Sequence, residues 1–282
     1  MTAVRQMLSK GMLTSAGVAV AIGVTLTSLP GWCITYSGSA QLATGDYIFS
    51  DRTTSFALYN GVTLSAGPLR VSAGIPVLYQ STPWVSYSAV GMIPSGGGEG
   101  SQVGGRKHGS KISLPDTVRY DEIAVGDPTL LAGVEVWRQG KVLPALHLTA
   151  GLKAPLADVE SGFGTGEWDY GVGLSLARSW GTTLLFTDVT YWVLGDLDDL
   201  ELLDPVAYSI ALGYPLASGR YSLLFSLSGY SRIFAGVDPP VQAGFAVSHF
   251  LDSGASLSAN INVGLTESAP DFAFSLGWQV GL

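Results

Sequence analysis

Residues 272–282 read Phe-Ala-Phe-Ser-Leu-Gly-Trp-Gln-Val-Gly-Leu. Apolar side chains occupy every second position, and alanine, serine, glycine and glutamine fill the positions between them. A period of two places alternate side chains on opposite faces of a β-strand. The segment therefore predicts a terminal strand with one apolar face and one face of small or polar residues.

The same alternation recurs through most of the chain, for example at residues 168–176, 206–216 and 256–265. In a soluble sandwich the polar faces would carry lysine, glutamate and threonine, because they face water. Here those faces consist mainly of glycine, serine and alanine. Small residues suit the crowded inside of a barrel whose apolar outer face contacts lipid.

Tight turns alternate with longer connections along the sequence, as they do in outer-membrane barrels. Turn-forming residues occur at 67–68, 139–140, 179–181, 218–219 and 253–254. Counting the segments predicts one closed antiparallel transmembrane β-barrel, an all-β fold, with about twelve strands. We place them at 34–45, 54–66, 69–80, 124–138, 142–154, 167–178, 182–194, 206–216, 221–234, 241–250, 256–266 and 272–282.

The composition excludes several classes of protein. The chain has 282 residues, a net charge of -8 and a single cysteine, Cys33. A negative net charge disfavours a general nucleic-acid binder, which needs a basic face to contact phosphates. One cysteine excludes an intrachain disulfide scaffold. After residue 30 there is no long apolar run, so a helical membrane protein is disfavoured.

The N-terminus resembles a secretory signal peptide. Arg5 and Lys10 precede a mostly apolar stretch, residues 11–29, that ends at Pro30. We expect residues 1–33 to be removed on export and residues 34–282 to form the barrel in the cell outer membrane. A retained anchor helix is the alternative.

Several short motifs, taken in order, resemble the meta-pathway phenol-degradation family of outer-membrane proteins. They are Val125-Gly126-Asp127, Gly151-Leu152-Lys153-Ala154-Pro155, the glycine-rich run 162–166 before Trp168-Asp169, and the earlier pieces Thr44-Gly45-Asp46-Tyr47 and Ile75-Pro76. The resemblance implies a transporter-like barrel in the outer membrane, encoded near aromatic degradation genes in some members. It does not name a substrate.

Charged side chains at inward positions are candidates for lining the lumen. A charge that faced lipid at mid-membrane would cost about 2–4 kcal/mol, so the lumen is the low-energy location. These residues could line a pore, or could form ion pairs that fill the barrel, and the sequence leaves both open. By strand parity the set is Arg70, Asp127, Glu135, His147, Lys153, Asp169, Asp188 and Arg232.

No motif predicts catalysis, a cofactor or a metal site. His147 and His249 lie on opposite parities, without a nucleophile and an acid that the sequence brings to either. The glycine-rich stretch 95–111 lacks the strand and helix of a phosphate loop, and the acidic run 196–204 lacks the pattern of a calcium loop. We therefore expect a protein that is not an enzyme.

The longest connection, residues 81–122, begins with an apolar segment. Loops of this length are usually functional or disordered, and a purely solvated loop needs no apolar start. We expect residues 84–93 to fold over or into the mouth, and the basic part of the loop to approach inward or rim carboxylates such as Asp127 and Asp169. The candidates for lining this constriction are Trp84, Tyr87 and Met92.

These features predict an outer-membrane channel or transporter for small molecules, including hydrophobic or aromatic ones. The alternatives are a structural or adhesive barrel with a closed lumen, and an outer-membrane hydrolase. The expected partners are outer-membrane lipids and lipopolysaccharide, the small-molecule solute, and the barrel-assembly machinery, which reads an alternating aromatic C-terminal strand like residues 272–282.

Overall fold

The computed structural model describes residues 31–96, 100–107, 109–113, 122–159 and 162–282. The strands are β1 Cys33–Gly45, β2 Thr53–Ala66, β3 Leu69–Gln80, β4 Ser86–Ser88, β5 Gly91–Ile93, β6 Glu122–Val125, β7 Thr129–Trp137, β8 Ala145–Lys153, β9 Asp169–Trp180, β10 Thr183–Val193, β11 Val206–Leu216, β12 Tyr221–Tyr230, β13 Val241–Phe250, β14 Ser256–Gly264 and β15 Phe272–Gly281. A short helix, α1, spans Gly100–Gly104. Within the described ranges, helices fall short of the length and apolarity that a membrane crossing requires.

The main sheet is a closed antiparallel barrel. Each strand pairs with its neighbour in the sequence, and β1 also pairs with β15, from Thr35 opposite Gly281 to Thr44 opposite Phe272. The segments β6 and β7 both pair with β3 and together form one wall strand. Counted in this way the barrel has twelve strands, which confirms the predicted fold class.

The wall strand formed by β6 and β7 is interrupted at residues 126–128. Pro128 has no backbone N–H to donate across the sheet. The Gly126 N–H instead donates to the Pro76 carbonyl at 2.9 Å. A Cβ on Gly126 would lie 2.6 Å from a methyl group of Leu78, so a glycine is needed at this close approach. The interruption brings Asp127 to the inner side of the wall.

The predicted alternation of faces is confirmed by burial. On β15 the side chains of Phe272, Phe274 and Leu276 are exposed on the outside, whereas Ala273 is buried. On β11, Tyr208 and Ile210 are exposed in the same manner. Large apolar residues therefore form the outer surface, as expected of a barrel wall in lipid.

We orient the barrel with both termini in the periplasm, as in single-chain bacterial barrels. The predicted two-residue turn at 139–140 is wrong, because β7 ends at Trp137 and β8 begins at Ala145. Pro144 lacks an N–H, and the Gln139 side chain is hydrogen-bonded to Ser179. The connection is therefore a seven-residue loop, 138–144, that is held against β9.

Strand β12 ends at Tyr230, four residues before the predicted end. The last ladder bonds run from Ser231 N to Val206 O on one side and from Tyr230 N to Pro240 O on the other. Beyond them Pro205 and Pro240 have no backbone N–H to donate, so the pairing ends there. The predicted signal peptide lies outside the described residues up to residue 30, and β1 begins at Cys33. Export with removal of residues 1–33 stays a prediction.

A second packing centre lies above the barrel, among the extracellular loops. Buried apolar side chains from four connections meet there, so the loops pack together over the mouth and are not separately solvated. We call this cluster the loop layer. The buried members are Tyr47, Ile48, Phe49, Trp84, Val85, Val90, Ile93, Val103, Leu194, Leu200, Leu202, Ile233, Phe234 and Val237.

Candidate functional site

The strands β4 and β5 form a hairpin that lies across the extracellular mouth. We call residues 84–93 the mouth hairpin. Tyr87 stacks on Phe163 with ring centroids 6.5 Å apart, and it packs against Ala57 of β2 and Leu78 of β3. At the turn, the Ala89 N–H donates to Asp169 of β9. The hairpin thus touches inward residues from well-separated parts of the wall.

The other two candidates for the constriction also belong to this hairpin. Trp84 is buried in the loop layer, with its ring centroid 6.2 Å from that of Phe49. Met92 contacts the apolar cluster above the barrel as well as the smaller cluster around Tyr87 and Phe163. Its sulfur accepts hydrogen bonds from Ser55 and Tyr47. Trp84 therefore packs above the mouth, whereas Tyr87 and Met92 reach inward residues.

Three ionisable side chains meet at the extracellular end of the wall. We call Asp127, Lys153 and Asp169 the ion triad. The Lys153 ammonium lies 2.8 Å from Asp127 Oδ2 and 3.5 Å from Asp169 Oδ2. It also donates to the Thr165 hydroxyl and the Glu167 carbonyl, each at 3.0 Å. The exposed fractions are 2% for Lys153, 5% for Asp127 and 0% for Asp169, so all three are buried.

Each carboxylate of the ion triad also binds backbone from a loop. Asp127 Oδ1 accepts the N–H groups of Leu156 and Ala157 at 2.8 and 2.7 Å. Asp169 Oδ2 accepts the Ala89 N–H at 2.8 Å, and its Oδ1 accepts the Gly195 N–H at 3.0 Å. The triad therefore joins the mouth hairpin and two other extracellular loops to the barrel wall.

The basic part of the long connection approaches carboxylates of neighbouring loops, as expected in general, but not the two examples Asp127 and Asp169, which is a correction to the expectation from sequence. Lys153 of the wall already neutralises those carboxylates. The basic residues of the loop pair with other loops instead: the buried Arg106 with Glu267 at 2.7 Å, and the exposed Lys111 with Asp46 at 3.1 Å. The hydrogen bond from Lys111 holds the pKa of Asp46 below its usual value.

A row of polar side chains crosses the inner wall further from the mouth. The strand registers place Glu135 opposite His147, His147 opposite Ser175, and Ser175 opposite Asp188. Asp188 in turn accepts a hydrogen bond from Ser209 at 3.0 Å. Arg70, on β3, lies near the start of the row, and Gly133 is its partner on β7. We call this set the polar row.

The polar row places a serine, a histidine and a glutamate on neighbouring strands, which are residue types that a hydrolase uses for catalysis. In the described part of the chain, no hydrogen bond joins His147 to Ser175 or to Glu135. The Oε2 atom of Glu135 lies 3.4 Å from Nε of Arg138 instead. His249 stacks on Tyr221 at the outer face, 4.5 Å between centroids. The row therefore lacks the joined nucleophile and base that a hydrolase needs.

Arg232 differs from the other candidates for the lumen. It follows the end of β12 and is exposed, so the parity rule that placed it inside the barrel does not apply there.

The acidic run 196–204 binds its own and neighbouring backbone. Asp196 accepts from Leu202 N–H at 2.7 Å, and Asp204 accepts from Leu194 N–H at 3.2 Å. Asp199 accepts the N–H of Gly100, the first residue of α1. These carboxylates thus organise the loop layer.

Large inward side chains also shape the upper wall. Trp192 of β10 lies over glycines of the two preceding strands: a Cβ on Gly171 or Gly151 would come within 2.7 or 2.5 Å of its indole. Glycine at these positions therefore leaves room for the ring.

Sequence reasoning missed Phe163, which is fully buried and stacks on Tyr87, and Thr165, which binds Lys153. A single large apolar residue inside the glycine-rich run 162–166 was the available signal, because such a residue in an external loop implies burial.

Comparison with solved structures gives outer-membrane barrels. The COG4313 outer membrane channel from Pseudomonas putida F1 is 17% identical, with a TM-score of 0.62 over 93% of this chain and 100% of that chain. The KdgM porin is 7% identical, with a TM-score of 0.46 over 87% and 99% of the two chains. The CymD monoaromatic hydrocarbon channel is 9% identical, with a TM-score of 0.46 over 89% and 88%. The first of these shows the shared fold.

The comparison with curated proteins found no match. The model of one sequence family matches residues 51–280, which is most of the barrel. Together with the closed barrel and its apolar outer surface, this places the protein in the outer membrane, as the sequence predicted. The protein belongs to the family described as "Putative MetA-pathway of phenol degradation".

Proposed function

We propose that the protein is an outer-membrane channel for small molecules, with the mouth hairpin as its constriction. The observation that carries the proposal is the contrast between a wall lined by small residues and a mouth covered by an inserted loop. A barrel that served only as a scaffold would fill its lumen with large side chains from the wall. Here glycine, alanine and serine dominate the inward positions of β11 and β15, for example.

The chemistry of the mouth favours apolar or aromatic solutes. Tyr87 and Met92 contribute a ring and a polarisable thioether beside the partly buried Tyr59, and the buried Phe163 stacks on the Tyr87 ring. The family to which the chain belongs is described by the degradation of phenol, itself a small aromatic molecule. We infer that an uncharged aromatic molecule passes more readily than a sugar of the same size.

Conductance and uptake test the proposal. We expect purified protein in a planar bilayer to open, and the double variant Tyr87→Ala/Met92→Ala to conduct more because two side chains leave the constriction. Removal of a tyrosine and a leucine from the outer wall, Tyr208→Ala/Leu212→Ala, is the matched control and should leave conductance unchanged. Swelling of proteoliposomes compares the uptake of the aromatic solute and the sugar.

A closed structural or adhesive barrel predicts the opposite result. If neither the parent protein nor a variant without residues 84–93 opens at any voltage, the channel proposal is wrong. If the inner and outer pairs of substitutions change conductance equally, the mouth hairpin is not the constriction.

A further inference from the structure

Apolar packing alone does not explain why the turn of the mouth hairpin lies next to the ion triad. Tyr87 and Met92 bury apolar surface against the wall, and that burial is not directional. The turn of the hairpin, in contrast, is fixed by one directed contact, the hydrogen bond from Ala89 N–H to the Asp169 carboxylate. A charge-assisted bond of this kind sets a geometry as well as an attraction.

Asp169 can keep that role only while its charge is compensated. It is fully buried, and an isolated buried carboxylate is strongly disfavoured relative to a hydrated one. The ammonium of Lys153 is the cation within ion-pair distance, and it serves Asp127 at the same time. Among the residues that the structure describes, no other cation would then lie between the two carboxylates.

A carboxylate that stays ionised would then need water in place of the lysine. Asp169 is covered on one side by the Ala89 turn and on the other by the Gly195 loop, each bonded to one of its oxygens. Hydration of Asp169 therefore requires at least one of these two segments to move away. The mouth hairpin is the shorter of the two segments, since its strands β4 and β5 have three residues each. We therefore expect the hairpin to be the segment that moves.

We propose that Lys153 is the positioning residue of the mouth hairpin: by compensating Asp127 and Asp169, it keeps the turn at Ala89 seated on the wall and the mouth narrow. This inference rests on the proposed channel function where it concerns passage, but the seating of the hairpin can be measured by itself. The ion triad, and not apolar burial alone, then determines how far the mouth opens.

A cysteine in the hairpin reports its position. In a background without the natural thiol, Cys33→Ser, the reporter Ser88→Cys lies at a position that is buried in the closed mouth. We expect a membrane-impermeant maleimide to label it slowly on intact cells, and more than about tenfold faster after Lys153→Met, because loss of one partner strongly destabilises a buried pair. Methionine keeps most of the length and volume of lysine.

The neutral triad is the matched control. The variant Lys153→Met/Asp127→Asn/Asp169→Asn also lacks the lysine, but it leaves no buried charge. The single amide oxygen at position 169 can still accept the Ala89 N–H of the hairpin, and only the bond from the Gly195 N–H is lost. We expect slow labelling in this variant, as in the parent. Faster migration of unboiled samples on gels checks that the barrel of each variant is folded.

The outcomes separate the two proposals. Unchanged labelling in Lys153→Met, or equally fast labelling in the neutral triad, contradicts the positioning role whatever the conductance. Faster labelling in Lys153→Met alone, with conductance raised in parallel, supports both proposals. Faster labelling in Lys153→Met alone with no change in conductance supports the positioning role and shows that the hairpin is not the constriction.

Discussion

At the extracellular mouth the lumen is occupied by side chains that arrive from loops, whereas further down it is lined by side chains of the wall itself. Tyr87 and Phe163 meet there from connections that are far apart in the sequence. The polar row, by contrast, consists of directly opposed residues on neighbouring strands, such as Glu135 and His147. The wall can therefore form from local hairpins, but the mouth requires several loops to be in place at once.

This difference implies that the two regions can be disturbed separately. Changes in the loop layer should affect access to the mouth while the barrel remains closed. Changes in the wall should affect the barrel itself or the selectivity of the lumen, and should leave the loop layer packed.

The largest effect is expected from Phe49, which is buried in the loop layer against Trp84. Phe49→Ala should destabilise this layer by about 3–5 kcal/mol, the usual result of truncating a buried phenylalanine. Protease cleavage of the extracellular loops on intact cells should increase, while unboiled protein still migrates as a closed barrel.

Phe56→Ala is the control for Phe49→Ala, because Phe56 lies on the outer face of β2, where its exposed ring contacts lipid. It should leave the loops resistant to protease. Equal cleavage of the two variants would show that the loop layer is not a packing unit of its own.

A smaller effect is expected from crowding of the upper wall. Gly171→Ala places a methyl group within 2.7 Å of the Trp192 indole, and such overpacking should cost about 1–3 kcal/mol. The temperature at which the unboiled form converts to the unfolded form should fall.

Gly133→Ala is the matched control on the inner face of β7, where the added Cβ has its nearest neighbour at an ordinary 3.7 Å. Its conversion temperature should stay close to that of the parent. A loss in Gly133→Ala as large as that in Gly171→Ala would mean that the inner glycines are needed for strand pairing in general and not for the indole.

The smallest effect concerns ion preference in the polar row. Glu135→Gln and Asp188→Asn each remove one negative charge from the inner wall, and each should reduce the preference for cations by about two- to fourfold at low salt. Reversal potentials across a salt gradient measure this preference. Asp252→Asn, whose side chain is 98% exposed in a periplasmic turn, should change little, and an equal change there would contradict a role of the row.

The wall could be predicted from the sequence because a period of two determines which side chains share a face. Most strands lie within a few residues of their predicted bounds, and β12 departs because its partner strands begin just after Pro205 and Pro240, which have no backbone N–H to extend the ladders. Arg232 was misplaced for the same reason, since strand parity has no meaning beyond the end of a strand.

The mouth was predictable only in part. The apolar character of Trp84 and Tyr87 indicates burial, and the structure does bury them, but their role as a constriction stays a proposal. The bond from Ala89 to Asp169 involves a backbone N–H, which every residue except proline carries, so no side chain marks it. The pairing of Lys153 with Asp127 and Asp169 depends on the registers of three wall segments, and those registers appear only in the folded barrel.

The pairing of β1 with β15 also has a consequence for the order of events during biogenesis. Thr35 lies opposite Gly281, so one edge of the sheet is made early in synthesis and waits for the other until almost the whole chain exists. Every other pair of wall strands can form between near neighbours, and this one joins the first and the last strands of the barrel. Unpaired edges are costly in lipid, at several kcal/mol for each backbone group. A growing chain is therefore better kept in water until β15 has been made, and completion of the seam becomes the step that permits it to enter the membrane.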